Sequence, residues 1–307
     1  MKPQEQIRQI RRVTWVGLVL NVTLCAGKIL AGLVGNSAAL VADGVHSLSD
    51  IATDIAILIG VRYWLSPPDR DHPYGHGRLE TLVSLMIGLT LAAVGFGLGY
   101  DAVTSLLAPE ADYGPPGSVA LVVATLGVGS KEVIYRWMLR RGRAIGSEAL
   151  EANARHHRSD ALSSLPVLVA VAVAIWFPGL GYVDEAGALL VSVFICYSAW
   201  QTCLPAVNSL LDRGASNEVQ EAIVRLVAEY PQVIEVHGLR TRFMGKALLV
   251  DLHAVVGDES LSVREADALS HAIAATLTSS NTTEILEIQI LDALVHIDPP
   301  DEESPTQ

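Results

Sequence analysis

Residues 38–63, AALVADGVHSLSDIATDIAILIGVRY, are long enough to cross a bilayer as one helix, yet they carry Asp43, His46, Asp50 and Asp54. An acid or an imidazole at membrane depth is costly, so such groups face a bundle interior or water and mark a path for an ion or a proton. His46 and Asp50 stand four apart and share one helix face. The same letters and spacing recur at His156 and Asp160, in EANARHHRSDALSSLPVLVAVAVAIW, at the head of another apolar run. Two such pairs offer two imidazole nitrogens and two carboxylates, a donor set that suits a four-coordinate divalent metal such as zinc.

Working outward, the chain reads as a membrane protein with a soluble portion: half of its 307 residues are hydrophobic and its mean hydropathy is +0.38. Six spans are expected, over residues 13–33, 38–63, 79–106, 118–137, 157–177 and 182–204. The first follows a basic start, MKPQEQIRQIRR, but is too long for a signal peptide and has no clear small-residue cleavage site before Asn36, so it is read as retained. Lys and Arg lie before the first span, between the second and third (Arg70, Arg78) and between the fourth and fifth (Arg140, Arg141, Arg143). The alternate loops have neither, which predicts that both termini are cytoplasmic. Lys28, near a span end, reads as a side chain that reaches for the interface. Lys131 and Glu132 read as a neighbouring pair at the inner end of the fourth span.

Charge divides the chain. Residues 205–307 hold 17 acids and 6 bases, nearly all of the net charge of −12, while the first 204 residues are almost balanced. This sets the boundaries: an N-terminal segment 1–12, a transport domain 13–204, a soluble acidic domain 205–299 and a disordered tail 300–307. Such a surface excludes nucleic acid as a partner and attracts cations. Cys25, Cys196 and Cys203 all fall in apolar runs and form neither a disulfide framework nor a thiolate zinc motif.

In the acidic domain, residues 217–230 read as a helix stopped by Pro231, 233–243 and 247–256 as two strands, 262–277 as a second helix and 284–296 as a third strand. The order is αββαβ, a small ferredoxin-like α+β fold. In the second strand Val250, Leu252 and Ala254 face one side, Asp251 and His253 the other. The loop LSPPDRDHPYGHGRLE between the second and third spans sets Asp69, His72 and His76 among helix-breaking prolines; these three could bind a metal, or belong to a polar solvated loop.

The HSLSD of the second span, the HHRSD of the fifth, the PYGHGR loop, six spans and an acidic α+β domain together resemble the cation diffusion facilitator family of divalent metal/proton antiporters. The resemblance runs from about residue 10 to residue 300. It implies a homodimer in the bacterial inner membrane that exports zinc, with iron(II), cobalt or cadmium as further cargoes, driven by inward proton flow. It implies a transport site of His46, Asp50, His156 and Asp160, a loop site of Asp69, His72 and His76, and a regulatory zinc cluster of His237, His253, His296 and Asp298, with Asp267 near the place of a further ligand. Arg78 and Asp212 match a charge pair near the family's dimer interface. Several bacterial iron/zinc efflux members carry Asp where His46 stands; a site of two His and two Asp leans towards zinc.

Two other classes are weaker. A membrane metalloenzyme would keep an open zinc position, and the chain has no HExxH or GxSxG motif. A membrane-anchored metal sensor does not need His and Asp pairs inside its spans. The chain also lacks the GxxxxGK[ST] phosphate loop, which points to a gradient rather than ATP as the energy source.

Overall fold

A computed structural model describes residues 3–64, 66–108, 114–145, 148–245, 247–258 and 260–300; some side chains in these stretches, Asp50 among them, lie outside the description, as does most of the expected tail. Seven helices come first: α1 (Pro3–Val34), α2 (Ala38–Trp64), α3 (Arg78–Leu107), α4 (Ser118–Ile145), α5 (Glu148–Ser163), α6 (Leu165–Trp176) and α7 (Tyr182–Leu210). Then follow α8 (Asn217–Ala228), β1 (Val233–Met244), β2 (Ala247–Val256), α9 (Val263–Leu277), α10 (Ser280–Leu286) and β3 (Ile290–Asp298). Five described segments are long and apolar enough to span a bilayer, in α1, α3, α4, α5–α6 and α7. The 27-residue α2 is the sixth expected span.

The fifth span is not one helix. It breaks at Ser164, where Pro166 enters the first turn of α6. Proline has no N–H to give to the carbonyl four residues back, and its ring crowds that carbonyl.

The chain folds into two compact units, Met1–Leu58 with Met86–Thr202, and Ile59–Leu85 with Cys203–Gln307. The first has a core of small and branched residues, including Ala31, Ala39, Ala42, Ala120, Ala124, Val167, Val171, Ala188 and Ile195. Large apolar groups such as Phe96, Leu126, Val169 and Trp200 point outward. Small residues inside and large ones outside is the arrangement expected where lipid is the solvent and helices associate by close contact. Gly44 shows the closeness: a Cβ there would lie 2.7 Å from the Ile29 side chain of α1.

This bundle also buries charge. Lys28 of α1 does not reach for the interface. It is fully buried, with its Nζ 2.8 Å from Asp43 Oδ2 and 3.2 Å from the hydroxyls of Ser47 and Ser164. Ser164 in turn donates to Asp43 Oδ1 over 2.9 Å. The reason is chemical: an ammonium has three donors, and here each has an oxygen. The start of α2 is tied down as well. Ser37 accepts from the Leu40 N–H and donates to Asp184 Oδ1 of α7 over 2.7 Å.

In the second unit the sheet has the order β1-β2-β3, with β1 antiparallel and β3 parallel to β2. Val250, Leu252 and Ala254 turn inward with Ile223 and Val227 of α8 and Ile273 and Leu277 of α9, on the face that strand alternation predicts. The αββαβ order gains one element. Residues 284–286, expected to begin the last strand, belong to α10, whose first turn is capped by Ser279 accepting from the Thr282 N–H. Glu287, in the left-handed region at φ 55°, ends that helix before β3.

Two measurements check these contacts. Ser262 and Glu265 form a capping box at the start of α9, so Ser262→Ala is expected to cost about 1 kcal/mol locally and to speed amide exchange several-fold in that first turn. Asp43→Ala leaves Lys28 buried without its counter-charge and is expected to destabilise by roughly 3–5 kcal/mol. The double change Lys28→Met with Asp43→Leu should recover most of that loss in thermal unfolding in detergent.

Candidate metal centres

The C-terminal sheet lines up its histidines by register alone. His237 of β1 pairs with His253 of β2, and His253 pairs with His296 of β3, so the three stand side by side across the sheet. Ring centroids are 5.1 Å apart for His237 and His253 and 4.9 Å for His253 and His296. Asp298, two residues beyond His296, reaches all three: its oxygens lie 3.3 Å from His237 Nε2, 2.8 Å from His253 Nδ1 and 2.5 Å from His296 Nδ1. Gly238 makes the row possible, with φ +60° and no room for a Cβ, which would sit 3.0 Å from the His253 ring.

Donor atoms of His237, His253 and Asp298 lie mutually within 4.8 Å. The set fits a divalent metal chemically, since neutral imidazole nitrogens and an ionised carboxylate converge. Burial is the largest single influence on Asp298 and resists its ionisation. The hydrogen bonds and charges of His253 and His296 together outweigh it, so the carboxyl titrates below its ordinary range. Asp267 lies on α9, its carboxylate 3.5 Å from His271 Nδ1.

The loop between α2 and α3 makes a second group. Asp69 Oδ1 accepts the backbone N–H groups of His72 at 2.7 Å and Asp71 at 3.0 Å. His72 Nδ1 lies 3.2 Å from the same oxygen, and His76 Nε2 lies 3.4 Å from Oδ2. The His72 backbone N–H is the main cause that holds Asp69 below the usual carboxylate range. Gly75, at φ +84°, turns the chain between the two histidines. Donors of Asp69, His72 and His76 also lie within 4.8 Å of one another, so they fit a metal as well as the sheet group does. Beside this loop Arg78 donates to Asp212, which holds φ 57° just past the end of α7.

The membrane pairs are arranged differently. On α5, His156 Nδ1 lies 3.8 Å from Asp160 Oδ1, as four-residue spacing requires. Asp160 is buried and His156 exposed, while the adjacent His157 is buried against α1 at Gly17. On α2, His46 is half-buried and Asp50 lies one turn on, its side chain outside the description. Among the described residues the pairs do not form a group of three mutually close donors.

What sequence reading missed is the partner of Asp160. Lys131 of α4 sets its Nζ 3.2 Å from Asp160 Oδ2. Glu132 turns to Arg136 instead, at 2.6 Å, so Lys131 and Glu132 are not a pair. The available signal was that neither Lys131 nor Asp160 has a residue of opposite formal charge three or four positions away on its own helix.

Known proteins share this architecture. Residues 14–211 match the cation efflux transmembrane domain, and residues 215–300 match the cytoplasmic domain of cation efflux proteins. An uncharacterised transporter of Methanocaldococcus jannaschii is 33% identical over 95% of this chain and 99% of its own. The manganese efflux system protein MneP of Bacillus subtilis is 29% identical over 96% and 97%. The cation-efflux pump FieF of Serratia proteamaculans is 31% identical over 97% and 95%. The chain therefore belongs to the cation efflux, or cation diffusion facilitator, family: it is a multi-pass membrane transporter of divalent metal cations, not an enzyme.

Proposed function

We propose that the protein is a homodimeric metal/proton antiporter of the bacterial inner membrane that exports zinc from the cytoplasm, with iron(II), cobalt or cadmium as further cargoes. His46, Asp50, His156 and Asp160 form its transport site. The observation that carries this reading is Asp160, a carboxylate buried within a span with His156 on the same helix face. A buried acid in an apolar bundle is expensive unless it is paired or serves an ion or a proton, and Asp160 has His156 on its own helix face as well as Lys131 beside it.

The exchange follows from the donors. Neutral imidazole and ionised carboxylate bind a divalent cation, whereas their protonated forms do not, so metal and protons compete for the same groups. If the loaded site opens inward to take metal and outward where protons displace it, competition becomes counter-transport. Residues 13–204 carry this exchange and residues 205–299 the regulation, with both termini in the cytoplasm, as the Lys and Arg distribution supports.

Asp69, His72 and His76 would gather metal at the loop. His237, His253, His296 and Asp298, with Asp267 near, would sense cytoplasmic zinc between two C-terminal domains, where metal bound more tightly in one state shifts the carrier toward it. Arg78 and Asp212 hold the neighbourhood of the dimer interface. The likeness to a manganese efflux protein favours manganese as a second cargo.

Uptake into sealed vesicles separates these readings, with zinc, cadmium, iron(II) and manganese compared under a controlled pH gradient. Zinc flux should follow the gradient and vanish in Asp50→Ala. Bound zinc with no flux of any metal would instead support a membrane-anchored sensor. A second measurement concerns the sheet cluster: Asp298→Ala is expected to lower the zinc bound per chain while Asp50→Ala leaves that cluster loaded, as equilibrium dialysis would read.

A further inference from the structure

Two lysines are buried in the membrane unit, and they are held in very different ways. Lys28 fills its three donors with Asp43, Ser47 and Ser164, oxygens from α2 and from the break between α5 and α6. Lys131, 3% exposed, has a single hydrogen-bond partner among the described residues, Asp160 Oδ2 at 3.2 Å. Asp160, 7% exposed, has His156 Nδ1 at 3.8 Å from its other oxygen. Lys28 is thus a clamp, fixed by every donor it has. Among the described residues Lys131 is held by one contact, and that contact is a carboxylate oxygen that the proposed metal site would need.

We propose that Lys131 is a tethered competitor of the transported cation: its ammonium and the divalent metal are alternative partners of Asp160, and metal loading and release are exchanges between them. The proposal rests on the reading of Asp160 as a transport ligand.

The electrostatics leave little choice. A divalent cation and an ammonium on one buried carboxylate repel each other strongly in a medium of low dielectric, so the two cannot both sit at Oδ2. Yet the carboxylate cannot stand alone either, because an ionised acid without a counter-charge inside the bundle is disfavoured by several kcal/mol. A cation on a flexible stem satisfies both demands. When metal arrives the ammonium leaves Oδ2, and when metal departs it returns, so Asp160 keeps a counter-charge throughout. The four-carbon stem suits this, since lysine presents a compact point charge on rotatable bonds rather than a rigid fork. Lys131 therefore weakens metal binding and speeds release, and it acts on the metal through Asp160 as a positioning residue.

The test is a split of KM against kcat for zinc uptake into vesicles by the full-length protein. Lys131→Met and Lys131→Gln both remove the competing charge, and the second keeps a polar group beside Asp160. Both are expected to lower KM at least fivefold and to lower kcat, because release slows. Lys131→Arg keeps the charge and should stay within about twofold of the parent KM. A purely structural lysine would give a reduced kcat with unchanged or raised KM in all three variants, and that result overturns the proposal.

Asp160→Asn separates the underlying reading. If that variant transports zinc with the parent KM, Asp160 is not a transport ligand and the site assignment fails first. If it loses transport while the Lys131 variants keep the parent KM, the assignment stands and the competitor fails. A readout on the unaltered protein guards against variants that do not fold. Zinc should raise acylation of Lys131 by a membrane-permeant amine reagent, read by peptide mass spectrometry, and equal labelling with and without zinc overturns the proposal.

Discussion

Charge inside the apolar bundle is the constraint around which the membrane unit is built. Lys28, Asp43, Lys131 and Asp160 are all buried, and each carries an opposite charge within hydrogen-bond distance, 2.8 Å for the first pair and 3.2 Å for the second. Removing one partner from such a pair exposes the full desolvation cost of the other, which is why the pairs fix where helices can lie. The Lys28 network binds α1 to α2 and to the point where α5 gives way to α6. That break is itself useful. Ser164 sits at that break, and its hydroxyl accepts from Lys28 and donates to Asp43.

Much of the fold was legible because it depends on patterns that are local in the chain. Apolar runs gave the spans, and strand alternation gave the inward face of β2. The helix read over 262–277 is α9, Val263–Leu277. The errors have physical causes. α10 is seven residues long, too short for a helical period to register, so its residues 284–286 were merged with the strand that follows. Lys28 and Lys131 were misread because their partners are remote: Ser164 is 136 residues from Lys28 and Asp160 is 29 from Lys131. Spacing along one helix cannot report a contact between two. The histidine row is an intermediate case. Its members came from family resemblance, but only the register of β1 against β2 and β2 against β3 explains why they are neighbours.

The two groups outside the spans share a design. In each, one carboxylate is held ionised below its ordinary range by donors from its own surroundings, Asp69 first by a backbone N–H and Asp298 by two imidazoles against the opposing effect of burial. The sign matters. A carboxylate with a depressed pKa in the folded protein stays charged as pH falls through the usual carboxylate range. Those groups are solvent-facing, and water can supply what the protein does not. Asp160 is buried, and among the described residues its counter-charge is the Lys131 ammonium.

The two halves of the membrane motif are therefore held with unequal firmness. His46 lies between Asp43 and Ser47, both of which contact Lys28, and the helix that carries it is capped from α7 through Ser37 and Asp184. The residues on either side of His46 are held by Lys28, which uses all three of its donors, and the start of its helix is held by Ser37 donating to Asp184. Asp160 instead faces Lys131 through one hydrogen bond, on the helix that ends four residues later at a proline-enforced break. Under the proposed transport site, a carrier that must bind and then let go needs one element that holds the position of the site and another whose contacts exchange easily. In this chain α2 has the contacts of the first, and α5 those of the second.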